Sequence, residues 1–239
     1  MPASAKILQH AYGFDDVSIA PGEVTINPDM VDVSVDFSGV KLKTPIIASA
    51  MDAVVDTSFA VDIHKFGGLG VLNLDGIQCR FEDTNAIYKE IAACPAKKAT
   101  SLMQKIYSEP IKTVLISKRV EEIKNKNATA AVSFVPQNAK RHAPLAVEAG
   151  ADIVVVQGTV ITARHTSRSL RGLILSELVK DLRVPVIVGN TVSYEVTKEL
   201  MEQGIHGILV GVGPGSVCTS REVLGIGVPQ ITATLECAA

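Results

Sequence analysis

From residue 44 onward two kinds of segment alternate along the chain. Short aliphatic runs end in small or polar residues, and stretches with apolar positions spaced for one helix face follow them. The runs predict strands at Pro45–Ala48, Gly70–Leu72, Ala130–Val135, Ile153–Val156, Val186–Val188 and Ile208–Val212. Helices are predicted over Thr57–Phe66, Ala139–Ala149 and Tyr194–Gln203, the last stopped by Gly204. Strands alternating with helices imply an α/β fold with a parallel sheet. Runs such as Ile153-Val-Val-Val156 lack polar alternation, which suits strands buried on both faces.

Residues 1–43 break this rhythm. They are polar, interrupted by Pro21, Gly22, Pro28 and Gly39, and read as an N-terminal extension lying on the sheet, with a hairpin over Met30–Phe37 and Val40–Leu42. Residues 74–128 depart from it too: charged stretches such as Arg119–Asn127 predict solvated helices with a surface face. No linker marks a further domain, so one unit is expected over 44–239.

Composition narrows the partners. The chain has 239 residues, 47% of them hydrophobic, only 4% aromatic and none Trp, so Val, Ile, Leu and Ala must build the core. A net charge of −2 with no basic patch argues against nucleic acid and leaves a small anionic ligand open. No window reaches the roughly 20 apolar residues of a membrane span, and Met1–His10 lacks the apolar stretch of a signal peptide. The four Cys form no C-x-x-C pair, so free thiols in a reducing, cytoplasmic setting are expected.

Parallel α/β barrels carry their sites at the carboxyl ends of the strands. Here the strands run into Ser49-Ala-Met-Asp52, Asn73, Gln157-Gly-Thr159, Gly189-Asn190-Thr191 and Gly213-Pro-Gly215-Ser216-Val-Cys218. Loops are polar in any case, so the signal lies in the collective pattern. The last segment is glycine-rich enough to bring backbone N–H groups to an anion, with Ser216 adding a hydroxyl. After Cys218, Thr219 and Glu222 have the spacing of a capping box, and Arg221 adds a positive charge. Two readings of Cys218 stay open: a nucleophile whose thiolate is stabilised by a helix N-terminus, or an inert buried thiol. Cys79, Cys94 and Cys237 read as structural or incidental, and no His spacing suggests a metal. Arg164, His165 and Arg168 read as solvated, with a phosphate or partner contact as the alternative; Asp15-Asp16 reads as a cap or turn.

The segment Gly211-Val-Gly213-Pro-Gly215-Ser216-Val-Cys218-Thr219-Ser220-Arg221, followed by Gly227-Val-Pro229-Gln230, resembles the signature loop of the IMP dehydrogenase/GMP reductase family. Tyr12-Gly-Phe14-Asp15-Asp16-Val17 is similar to the family's N-terminal motif. Pro45-Ile-Ile-Ala-Ser49-Ala-Met51-Asp52, Gly67-Gly68-Leu-Gly70-Val and Val188-Gly189-Asn190 are similar to its first, second and fifth strands. The resemblance runs in order along nearly the whole chain.

It implies a (β/α)8 TIM barrel of which about six βα units are present, and a purine-nucleotide oxidoreductase. Cys218 would attack C2 of the purine, with Ser220 beside it. The phosphate would sit on Gly215 and Ser216, with Ser49 and Asn190 as further substrate contacts. Gln157 and Gly189 would meet the nicotinamide cofactor, NAD or NADP. Carbonyls of Gly213, Gly215 and Cys218 would match the family's potassium site, and a homotetramer, usual in the family, is implied for the full-length form. The favoured direction is IMP to XMP with NAD; GMP to IMP with NADPH is the alternative.

Several positions depart from the family pattern. Ser220 stands where Thr is usual, Leu209 where a Lys or Arg is usual, and Gln157 where an acidic residue usually meets the cofactor ribose. Residues 74–128 leave no room for the tandem regulatory (CBS-type) insert of most dehydrogenases. The family's seventh and eighth strands, with a ribose-binding Asp, a flap and a catalytic acid or base, have no counterpart. The chain therefore reads as a truncated form with exposed sheet edges, expected to be unstable or to aggregate alone. A non-catalytic nucleotide-binding remnant is the reading from a different class, and a flavin-binding barrel, which would be coloured, is a third.

Overall fold

Glycine and aliphatic placement decide where the strands fall. In the computed structural model, which describes residues 9–164 and 173–239, Ser38 (φ 49°) and Gly39 (φ 94°) turn a hairpin between β1 (Val35–Phe37) and β2 (Val40–Leu42). Positive φ at both turn positions matches the twist of the flanking strands, and Asp36 Oδ1 accepts the Gly39 N–H at 2.7 Å.

The aliphatic runs form β3 (Ile47–Ala48), β4 (Leu69–Asn73), β5 (Ala131–Phe134), β6 (Ile153–Gln157), β7 (Val186–Thr191) and β8 (Gly207–Val210). These six strands pair in sequence order, all parallel, as a curled half-barrel with β3 and β8 at its edges. Successive side chains point to opposite faces. In β6, Val154 and Val156 join the outer core, while Ile153 and Val155 join the inner one. The outer core lies under α1 (Thr57–Lys65), α4 (Thr113–Lys124), α5 (Pro136–Glu148), α6 (Leu175–Leu182) and α7 (Tyr194–Glu202); α2 (Thr84–Ala93) and α3 (Ala96–Ser108) bury little, only Ile106 being fully buried in the pair. The hairpin covers the inner face: Leu42 is buried there, with Phe37 and Val40 against Leu69, Val71, Ala131, Ile153, Val155 and Ile187. Each fully buried Leu, Ile or Val among them contributes about 1.5–3 kcal/mol.

Several sequence expectations shift. The run Arg119–Asn127 is not wholly a surface face: Arg119 is 7% exposed. It shares a helix side with the buried Leu115, Ile116, Val120 and Ile123. Its guanidinium donates to the carbonyls of Gln78 (3.0 Å), Phe81 (3.1 Å) and Glu82 (2.9 Å) and to Glu122 (2.9 Å). The turn after β4 leaves those carbonyls without helix or sheet partners, and a buried cation must be paired. Helix α5 starts at Pro136 rather than Ala139, because Pro suits the first helical position. The first barrel strand shortens to Ile47–Ala48, and β8 stops at Val210 because Gly211 takes φ 129°. Helix α6, with Leu175, Leu178 and Leu182 buried, has no counterpart among the predicted elements. Among the described residues no helix is long and apolar enough to cross a membrane.

Candidate functional site

Because every strand of the sheet runs the same way, all the polar strand ends meet one rim. At the mouth of β8 the chain leaves through a narrow neck. Asn190 Nδ2 donates to the Gly211 carbonyl at 2.8 Å, and the Gly211 N–H donates to Thr191 O at 2.9 Å. Gly213 follows at φ 62°, a left-handed conformation that favours glycine, and a Cβ there would sit tightly, 3.0 Å from Ile226 O. The tip, Pro214–Val217, is exposed. The chain returns through the single turn α8 (Ser220–Leu224), and Val228 N–H donates to Val212 O at 2.9 Å as it enters α9 (Gln230–Ala238).

Cys218 is half-buried at the foot of this tip. Its N–H donates to Gly215 O at 3.1 Å, and its Sγ lies 3.4 Å from Ser220 Oγ. The Ser220 hydroxyl, then the Ser220 backbone N–H, hold the thiol below its ordinary pKa; slight burial opposes them and the Arg221 charge assists. A thiolate is the nucleophilic form, so this is an activated setting. The expected capping box is absent. Thr219 is already in helical conformation (φ −84°, ψ −6°) and makes no side-chain cap bond; the sulfur is met instead by Ser220, the first residue of α8, through its hydroxyl and its backbone N–H. Cys79 shows the contrast: fully buried, its thiol is pushed up to about 12 by loss of solvent. Cys94 and Cys237 are half-buried free thiols.

The opposite end of the rim holds a polar knot around Asp52. Its carboxylate accepts from Ile77 N–H (3.0 Å), Asn73 Nδ2 (3.3 Å) and the Tyr107 hydroxyl, and its carbonyl accepts from the Tyr88 hydroxyl (2.9 Å). Gln78 Nε2 donates to the Tyr88 oxygen at 2.9 Å, and Arg80 lies over the Tyr107 ring at 5.6 Å. Burial, then the bond to Asp52, push the Tyr107 phenol above its usual range, so it stays a donor. Asp52 and Asn73 are visible in the sequence as strand ends; nothing there signals Tyr88 or Tyr107.

The predicted site residues divide accordingly. Asn190, Gly213, Gly215, Cys218 and Ser220 lie together around the neck and tip. Gln157, half-buried at the end of β6, is in register with Gly189. Gly189 itself is required by strand packing, since a Cβ would lie 2.4 Å from Leu209 Cβ. Ser49 and Ser216 are exposed, and among the described residues no side-chain hydrogen bond ties either to the rest. Arg164 pairs with Glu199; His165 and Arg168 lie outside the described residues. Two open grooves, about 600 Å³ between α2 and α3 and about 440 Å³ between α7 and α9, are lined by no predicted site residue. The chemistry of the β8 mouth, not concavity, defines the candidate site.

A parallel α/β half-barrel with an activated thiol on a glycine loop at a strand mouth defines a class. The comparisons give it a family: residues 11–239 match the IMP dehydrogenase / GMP reductase domain, and the chain belongs to that family. An uncharacterized oxidoreductase of Mycolicibacterium smegmatis is 34% identical over 240 residues, 98% of this chain and 64% of that protein. An inosine-5'-monophosphate dehydrogenase of Cryptosporidium parvum is 32% identical over 242 residues, 94% of this chain and 57% of that protein. The crystal structure of an IMP dehydrogenase/GMP reductase-like protein from Corynebacterium glutamicum superposes with a TM-score of 0.90 at 30% identity, covering 99% of this chain and 63% of that one. The chain thus spans under two thirds of the length of these relatives.

Proposed function

We propose that the protein acts on purine nucleotides as an IMP dehydrogenase-like oxidoreductase, converting IMP to XMP through a covalent adduct on Cys218. The observation that carries this is the half-buried thiol, held below its ordinary pKa by Ser220, on a glycine loop of this family's type. The backbone around Gly215 and the Ser216 hydroxyl offer donors for the 5'-phosphate, with Ser49 across the rim as a further donor. Asn190 uses its Nδ2 on Gly211, which leaves its Oδ1 for the nucleotide. The thiolate adds to C2, forming the C–S bond. The oxidation needs a hydride acceptor for the hydrogen at C2, which is the chemistry a bound NAD would supply. Water then adds at C2, the C–S bond breaks, XMP leaves, the sulfur regains its electron pair and a proton is released. Gln157 fits a ribose hydroxyl, because a neutral amide offers both a donor and an acceptor. NADP is the other cofactor this amide could meet.

Potassium belongs to the same reading. The carbonyls of Gly213, Gly215 and Cys218 are the hard neutral oxygens such an ion takes, and Arg221, 3.5 Å from Gly215 O, would have to release that oxygen. The purine nucleotide is the expected partner, a homotetramer the expected assembly and the cytoplasm the expected setting.

The test is to mix the protein with IMP and NAD, or with GMP and NADPH, and follow the absorbance of the reduced nicotinamide. Cys218→Ala is expected to lower turnover about a thousandfold or more without shifting the melting temperature; retained turnover would sink the nucleophile. A second reading is nucleotide binding without turnover. It predicts that IMP shields Cys218 from alkylation while no cofactor is reduced.

A further inference from the structure

The Cys218 loop leaves the sheet and returns to it at one point, and a residue with no assigned role lies there. Gln230, the first residue of α9, sends its Nε2 back to the carbonyl of Val210, the last residue of β8, at 3.2 Å. Its Oε1 packs on Gly211: a Cβ at that position would lie 2.5 Å from it. The departing and returning strands are joined beside it by Val228 N–H to Val212 O at 2.9 Å, and Asn190 holds Gly211 from the other side. Beyond the neck the tip has few ties of its own: Cys218 N–H to Gly215 O, and Arg221 at 3.5 Å from the same oxygen. Helix α9 is itself anchored. Tyr12 N–H donates to Thr232 Oγ1 at 2.8 Å, and Thr232 N–H donates to Tyr12 O at 3.2 Å.

We propose that Gln230 is a positioning residue: its side chain closes the neck of the Cys218 loop and so fixes where the exposed tip points. The glycine at 211 follows from this, since any side chain there would displace the amide. The N-terminal segment takes part at one remove, because the Tyr12–Thr232 pair holds the helix from which Gln230 reaches. Local and distant effects separate cleanly. The Cys218–Ser220 contact spans two residues and survives an open neck, so the thiol stays activated, whereas its aim at a bound nucleotide does not. Only this last consequence rests on the purine-nucleotide reading.

The experiment compares the wild type with Gln230→Leu, and with Gln230→Glu, which keeps the length and loses the donor. Amide hydrogen exchange over residues 211–229 is expected to quicken about tenfold in both variants, with β5, β6 and β7 unchanged and the pH midpoint of Cys218 alkylation unmoved. The IMP concentration that half-protects Cys218 from iodoacetamide is expected to rise by a similar factor. Unchanged exchange in the loop, or an increase spread evenly over the sheet, overturns the proposal. Should IMP fail to protect Cys218 in the wild type, the nucleotide reading fails, and exchange alone decides the role of Gln230.

Discussion

At the mouth of β3 one carboxylate, Asp52, gathers a backbone N–H, an amide and a phenol, while a second phenol takes its carbonyl; at the mouth of β8 the Cys218 tip stands in solvent with Gly215 O as its main internal acceptor. Both mouths belong to the same parallel sheet. One is cross-tied by helices α2 and α3; the other is tied at its neck and left open at its tip. The difference separates two tasks: a fixed ledge ending in Ser49–Asp52, and a reactive loop whose sulfur is tuned by a near neighbour.

Breaking the tied mouth has the larger effect. Asp52→Ala removes the acceptor of the Tyr107 hydroxyl and strands the Asn73 amide and the Ile77 N–H, and is expected to cost roughly 1–3 kcal/mol of stability, read by urea denaturation. A loss under about 0.5 kcal/mol would show that water replaces the knot freely.

The thiols sharpen the contrast. Cys218 is expected to react with iodoacetamide at a rate that rises with pH, with a midpoint below the usual thiol value of about 8.5, since reactivity follows the thiolate. Cys79, its thiol pushed up to about 12 by burial, is expected to stay unreacted until the chain unfolds. Mass spectrometry of the alkylated peptides reads both, and equal reactivity would erase the distinction. The smallest effect is expected from Thr219→Ala. With no cap bond to lose, stability should move by less than about 0.5 kcal/mol, and a fall of about 1 kcal/mol in the thermal or urea transition would restore the capping box.

What the sequence disclosed follows the range of the interactions involved. The valine run of β6 and the glycine turns of the Cys218 loop are legible because backbone conformation and strand burial are written in neighbouring residues. Arg119 misleads because its partners are carbonyls of a turn 37 to 41 residues earlier in the chain. Tyr88 and Tyr107 are silent for the same reason, since they meet Asp52 across 36 and 55 residues. Thr219 fails differently: its spacing to Glu222 is right, but a helix of one turn begins at a residue already wound into it. Helix α6 could have been found, because Leu175, Leu178 and Leu182 recur on one helical face.

The pair formed by Tyr12 and Thr232 also orders events in time. These residues are 220 positions apart, so while the chain is being made this pair cannot form until Thr232 has emerged from the ribosome. The strap that braces the last helix is therefore a late acquisition in biosynthesis, and the reactive sulfur gains its outer support only after the sheet behind it has had the chance to form.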